Sequence, residues 1–273
     1  MGDLDGPSGG RAPPVGNTSD MPDRVRGGTM RFTKAIAAAA ITIAMLAQPA
    51  AALAAGTGDD PRPTKNVTTA LDARVEAEFR AWLLGNLRSG GGIQTAAIDA
   101  PYKYFYTPSH MQEKNYYCGP ATVQIIDDYW GAPASQAEIS KYLGTDTAKA
   151  TDFSLVDNAI NKFAGQNYVY YGPCTSTSDF NYRVAYGLGT RLHPMATDMK
   201  IDGRLMDRYV FNHAGHIVPM EAFDWRSMVI RLNDPYDERD WLAGGGATGG
   251  HMTYPAKQIS DSVMAHFRRA VVY

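Results

Sequence analysis

Only two cysteines, Cys118 and Cys174, occur among the 273 residues. A disulfide-rich scaffold is therefore excluded, and the chain can close at most one internal bridge. No cluster of Cys and His has metal-ligand spacing, and no internal repeat is evident. Neither sign of charge dominates, with 26 Lys and Arg against 28 Asp and Glu. The electrostatic footprint of a nucleic-acid binder is missing. Beyond residue 54 no apolar run is long enough to cross a bilayer. What is present is a chain with 44% apolar residues, enough for a real core in one or two domains.

The N-terminal part changes composition twice. Residues 1–29 are rich in Gly, Pro, Asp and Arg without periodicity. They read as a disordered, over-called extension ahead of a functional start at Met30. Met30-Arg31-Phe32-Thr33-Lys34 then makes a basic n-region, residues 35–47 an apolar run, and Ala52-Leu53-Ala54 a small-residue cleavage site. Residues 30–54 thus predict a secretory signal peptide, and the run is too short for a membrane span. An organelle-targeting peptide is the rival reading. No twin Arg precedes the run and no Cys follows it closely, which excludes a twin-arginine signal and a lipoprotein anchor. The expectation is an exported protein with no membrane association after signal removal.

Residues 55–99 read as a linker and one amphipathic helix. Leu71, Val75, Phe79 and Trp82 form a stripe over 69–84, Thr69 and Asp72 make a capping start, and Gly85 ends it. This helix is expected to brace the main domain; an inhibitory pro-segment is the alternative. Residues 100–273 form the larger unit. Ser135-Gln136-Ala137-Glu138 is a capping box closed by Gly144, and residues 153–163 form a further helix ending at Gly165. Residues 168–171 read as a short strand and 180–186 as a helix. Strands follow at 195–201, 216–223, 228–233 and 270–273, and the Gly-rich stretch 244–250 reads as a mobile loop before 254–267. Helices first and strands later is the order of an α+β domain.

The most telling segment is Gln112-Glu113-Lys114-Asn115-Tyr116-Tyr117-Cys118-Gly119-Pro120-Ala121. It sets a lone thiol at the mouth of a helix, since Pro is favoured in the first helical turn. Residues 121–130 carry apolar positions at helical spacing until Gly131 and Pro133 stop them. A helix N-terminus favours thiolate over thiol. Gln112 is placed to offer an amide donor to an oxyanion beside the Cys118 N–H. A thiol also needs a base, and Gly215-His216-Ile217-Val218 puts His216 at the head of an apolar strand. Asn233-Asp234-Pro235 ends the next strand, so a hairpin pairing brings Asp234 to His216. His213 competes for the role of base; spacing predicts it on the opposite face of the strand from His216. Cys118 has a rival fate as well, a Cys118–Cys174 disulfide in an inactive binding module.

Together these motifs resemble the papain-like cysteine peptidases of family C-39, best known as bacteriocin-leader peptidase domains of export transporters. The resemblance spans residues 101–273. It implies a papain-like α+β fold, with the nucleophile helix packed on a C-terminal antiparallel sheet that carries the His. It implies Cys118 as nucleophile, His216 as general base and acid, Asp234 as orienting residue and Gln112 as oxyanion donor. It implies a peptide or protein substrate, peptide or isopeptide hydrolysis, and no cofactor or metal. The chain departs from the transporter-borne members in having a signal peptide and no Walker-type Gly-Lys-Ser/Thr, so leader processing is not implied. Acyl or peptidyl transfer by the same residues is the alternative reaction. Nothing in the sequence sets the oligomeric state.

Overall fold

The computed structural model describes residues 69–88 and 102–273. The expected extension, signal peptide and linker, and the Gly90-Gly91-Gly92 run, lie outside the described residues. Helix α1 (Ala70–Arg88) is followed by strand β1 (Tyr102–Tyr104), α2 (Cys118–Tyr129) and α3 (Gln136–Leu143). A 3-10 turn (Phe153–Leu155) leads into α4 (Val156–Ala164), then β2 (Tyr170–Tyr171) and α5 (Thr177–Val184). A π-helical segment (Ala185–Arg191) enters the strand region: β3 (Met195–Ile201), β4 (His213–Asp224) and β5 (Val229–Asp234). The short α6 (Glu238–Trp241), β6 (Gly250–Pro255), α7 (Ala256–Ala265) and β7 (Val271–Val272) complete the fold.

Local chemistry explains several boundaries. At α3, Ser135 Oγ accepts the Glu138 N–H while the Glu138 carboxylate accepts the Ser135 N–H, and Gly144 ends the helix at φ 66°. Such an N-cap contributes about 1 kcal/mol. At α1 the Asp72 carboxylate accepts the Thr69 N–H at 2.7 Å. The helix runs through Gly85 to Arg88, beyond its expected end. An isolated Gly costs only about 1 kcal/mol against Ala. The Asn86 amide donates back to the Trp82 carbonyl at 2.8 Å, and Arg88 suits the last turn.

The strands form one antiparallel sheet in the order β2-β7-β3-β4-β5-β6, with β1 paired to the second half of β4. β4 is central, and two irregularities shape it. Between the pairs His213–Ile201 and His216–Met199 it carries one residue more than β3. Between the pairs Met220–Leu232 and Ala222–Arg231 it carries one more than β5, which leaves Glu221 in the bulge. Pro219 pairs with Ala196 just before the neighbour on that side changes from β3 to β1. A residue without an N–H is tolerated where the ladder is changing partners.

Helices pack on both faces of the sheet. Ile217 joins Cys118, Val123, Ile126, Ile139 and Ile160 in one apolar cluster, whereas Val218 joins Val75, Phe79, Phe180 and Ile259 in the other. Adjacent β4 residues thus point to opposite layers, as the two-residue period requires. α1 is part of the second layer. Val75 and Phe79 are buried, Glu76 pairs with the buried Arg183 at 2.5 Å, and the Arg183 guanidinium lies 3.6 Å from the Phe79 ring centre.

Candidate active site

Helix α2 lies along β4 in a fixed register. The Thr122 hydroxyl, one turn beyond Cys118, donates to the Ile217 carbonyl at 3.0 Å, and Ile217 directly follows His216. Cys118 and Ile217 share one buried cluster, so the mouth of the helix stands beside the head of the His216 strand. Close packing there depends on Gly119, where a Cβ would come within 2.5 Å of the Thr151 side chain.

His216 Nε2 donates to Asp234 Oδ1 at 2.8 Å, in a pair with 0% and 1% side-chain exposure. The β4–β5 pairing makes this contact, as the hairpin argument predicts. The same carboxylate oxygen accepts the Tyr236 N–H at 2.8 Å, and the other accepts the Tyr209 hydroxyl. A buried carboxylate is tolerated when donors surround it in this way. With the proton of Nε2 directed at Asp234, the basic lone pair of a neutral His216 is on Nδ1, which makes no hydrogen bond in the structure. Tyr236 links the pair to the thiol electrostatically. Burial, followed by Glu238, Asp234 and Cys118, pushes its hydroxyl above the ordinary tyrosine range.

Gln112 reaches the same region through its backbone, whose N–H donates to the Pro235 carbonyl at 2.8 Å. Its side-chain amide donates to the Lys114 carbonyl at 2.8 Å. Segment 105–112 is thereby fastened to the turn that follows Asp234.

His213 corrects the sequence reading. The extra β4 residue between His213 and His216 reverses the alternation, so both imidazoles enter one slot between two aromatic rings. Tyr209 and Tyr236 each face both histidines, with ring centres 5.3 to 6.2 Å apart. His213 has its own carboxylate, Glu238, at 3.0 Å. Glu238 also accepts the N–H groups of Val210, Phe211 and Gly246. Burial works to raise the Glu238 pKa. The Gly246 and Val210 N–H groups, His213 and the Phe211 N–H outweigh it and hold the carboxyl below its usual range. His213 is lowered chiefly by burial, with Glu238 opposing.

The rival Cys118–Cys174 disulfide is not formed. The two cysteines sit in different core clusters, and burial pushes the Cys174 thiol up to about 12, so it is a poor nucleophile. The Gly-rich stretch is packed rather than open at its centre. A Cβ at Gly246 would lie 2.2 Å from the Arg208 carbonyl oxygen, and Gly246 N–H is one of the donors to Glu238. Sequence reasoning also misses Tyr209, Tyr236 and Glu238. Tyr236, two residues past Asp234, had a positional signal; Tyr209 lies in a stretch without periodicity and had none. Among the described residues, no group of three or more His, Cys, Asp or Glu side chains is arranged to hold a metal. No described helix is long and apolar enough to cross a membrane.

A cysteine opening a helix that packs on an antiparallel sheet, with a carboxylate-bound histidine on the strand the helix packs against, fits the framework of a papain-like cysteine peptidase. The family model described as Peptidase_C39 like family matches residues 102–245, and the chain belongs to that family. A comparison with curated protein sequences finds no match. Among solved structures, the chain is similar to a double glycine motif protease from an AMS/PCAT transporter, crystallised with its leader peptide. Identity is 15%, TM-score 0.40, with 62% of this chain and 91% of that one covered. It is similar to the peptidase domain of Streptococcus ComA at 12% identity and TM-score 0.41, covering 62% and 97%. It is also similar to xylellain, a cysteine protease from Xylella fastidiosa, at 9% identity and TM-score 0.43, covering 79% and 93%.

Proposed function

We propose that this cysteine peptidase is exported and hydrolyses peptide or isopeptide bonds with Cys118 as nucleophile, His216 as base and acid, Asp234 as orienting carboxylate and Gln112 as oxyanion donor. The observation that carries the assignment is the His216–Asp234 bond at 2.8 Å on the strand that α2 packs against. His216 Nδ1 takes the thiol proton, and the resulting imidazolium is held by Asp234. The thiolate attacks the carbonyl carbon; the oxyanion is met by the Gln112 amide and the Cys118 N–H at the helix mouth. His216 then protonates the leaving amine, and water hydrolyses the thioester. Export rests on the signal-peptide pattern of residues 30–54.

The test is alkylation of the native protein without reduction, read by mass spectrometry, alongside peptide cleavage. Cys118 is modified and Cys174 is spared. His216→Ala slows alkylation at neutral pH and abolishes cleavage, whereas His213→Gln, which keeps a donor toward Glu238, retains both. Loss of cleavage in His213→Gln but not in His216→Ala overturns the assignment.

A further inference from the structure

Asn233 and Asp234 are neighbours on β5 and so face opposite sides of the sheet. The Asn233 side carries a second polar cluster with no part in the chemistry above. Glu221, fully buried in its bulge, accepts the Thr107 hydroxyl at 2.8 Å and the Thr107 N–H at 3.2 Å on one oxygen. Its other oxygen faces His251 Nδ1 at 2.8 Å and forms an ion pair with Arg231 Nε at 2.6 Å. Its backbone carbonyl accepts the Phe105 N–H at 2.7 Å. Asn233, also fully buried, donates its amide to the carbonyls of Thr107 at 3.0 Å and Pro108 at 3.3 Å.

Those two carbonyls fix which end of the Asn233 amide is nitrogen. Oδ1 therefore faces Ser109 and accepts its O–H at 2.8 Å. Ser109 has one proton, so its oxygen can only accept from His251 Nε2, 3.2 Å away. A Ser–His–Glu nucleophilic relay is ruled out by the same bookkeeping, because the hydroxyl proton points at Asn233. His251 instead bridges two groups, Glu221 at Nδ1 and Ser109 at Nε2.

The bonds converge on one segment. Phe105, Thr107, Pro108 and Ser109 are all held, and the segment ends at Gln112. We propose that Glu221, Asn233 and His251 form a clamp that positions residues 105–112, and with them the Gln112 amide. The groups facing His251 are Glu221 on β4, Arg231 on β5, and Tyr106 and Ser109 on the segment itself. The Tyr106 ring stacks on the imidazole at 5.2 Å, and Arg231 lies over Tyr104 at 5.0 Å. Nearby Asp237 is engaged by Arg239. This inference rests on reading Gln112 as the oxyanion donor.

The test uses the full chain carrying His251→Gln, Ser109→Ala or Gln112→Ala. His251→Gln should raise amide hydrogen exchange across residues 105–112 and lower kcat about tenfold, since small misplacements near the reacting atoms are costly. KM and Cys118 alkylation should stay within about twofold, because neither step builds an oxyanion. In a Gln112→Ala background, His251→Gln should cost no further kcat. Ser109→Ala removes the bonds to Asn233 and His251, so it should likewise raise exchange across the segment. Unchanged exchange in His251→Gln, or an equal kcat loss with and without Gln112, overturns the clamp. A Gln112→Ala enzyme with full kcat overturns the donor reading instead, while exchange still decides the clamp.

Discussion

Replacing Asp234 by Asn tests the orienting carboxylate with little change of shape. Three donors converge on Asp234: His216 Nε2 and the Tyr236 N–H on Oδ1, and the Tyr209 hydroxyl on the other oxygen. An amide can keep its oxygen at the doubly bonded position and turn its NH2 toward Tyr209, whose oxygen can accept. A flipped amide would face two donors with its own N–H groups, so the structure resists it. His216 therefore keeps its tautomer and loses only the charge on its partner. Hydrogen bonds to charged groups contribute roughly 1.5–3 kcal/mol against 0.5–1.5 for neutral ones. The imidazolium formed during reaction thus loses about 1–2 kcal/mol of support. At about 1.4 kcal/mol per tenfold, kcat/KM should fall roughly five- to thirtyfold.

Peptide cleavage and alkylation against pH measure this together. Alkylation of Cys118 should persist in Asp234→Asn but begin about one pH unit higher, in step with the lost support. Asp234→Ala is the poorer probe, because it strands three buried donors at roughly 1–3 kcal/mol each and threatens the fold. An Asp234→Asn enzyme with undiminished kcat/KM and an unmoved alkylation profile would refute the orienting role. A loss near ~10⁴ would mean that the amide flips and traps the wrong tautomer, as in the serine-protease template.

Two more predictions follow from burial. Asp127, inside α2, has neither oxygen hydrogen-bonded, and burial pushes it up to about 8; burial likewise raises Asp157 to about 7. Their native forms hold protons that the unfolded chain releases near pH ~4, so stability present below that range declines as pH rises toward about 8. Asp127→Asn should flatten the decline in thermal melts, and a melt already independent of pH there would contradict it. Phe79→Ala should cost about 3–5 kcal/mol in urea unfolding, since it empties a core site beneath Arg183. A variant that is equally stable and more active would instead make α1 an inhibitory segment.

What could be read from sequence was what local chemistry determines. The α2 mouth, the Ser135 capping box and the Gly144 stop each depend on residues within one turn, and the structure has all three. The strands of His216 and Asp234 were legible too, although β4 begins at His213, so His216 lies inside its strand, while Asp234 ends β5. β1 and β6 were not. β1 is three residues long, and β6 opens on Gly250 and closes on Pro255, residues that argue against a strand. Six consecutive pairings with β5 override that preference, a tertiary effect that no local window contains. The partners of Asp234 and His213 were illegible for the same reason: Tyr209 arrives from a loop, and Glu238 from a four-residue helix too short to show a period.

The β4 irregularities account for the site's least expected feature. His216 follows His213 by three positions, an odd spacing that in a regular strand sends them to opposite faces. The extra residue brings both into the slot between Tyr209 and Tyr236, so the fold holds two histidine–carboxylate pairs side by side. Their surroundings differ in the respect that matters for catalysis. Glu238 spends its oxygens on three backbone N–H groups as well as His213, which closes the chain from Val210 to Gly246 around it. That pair fastens loops. Asp234 lies on the strand next to β4, and its histidine immediately precedes the residue whose carbonyl accepts the Thr122 hydroxyl of α2. The bulge therefore brings a second imidazole beside His216, and the contact of α2 with Ile217 sets His216 apart where sequence spacing could not.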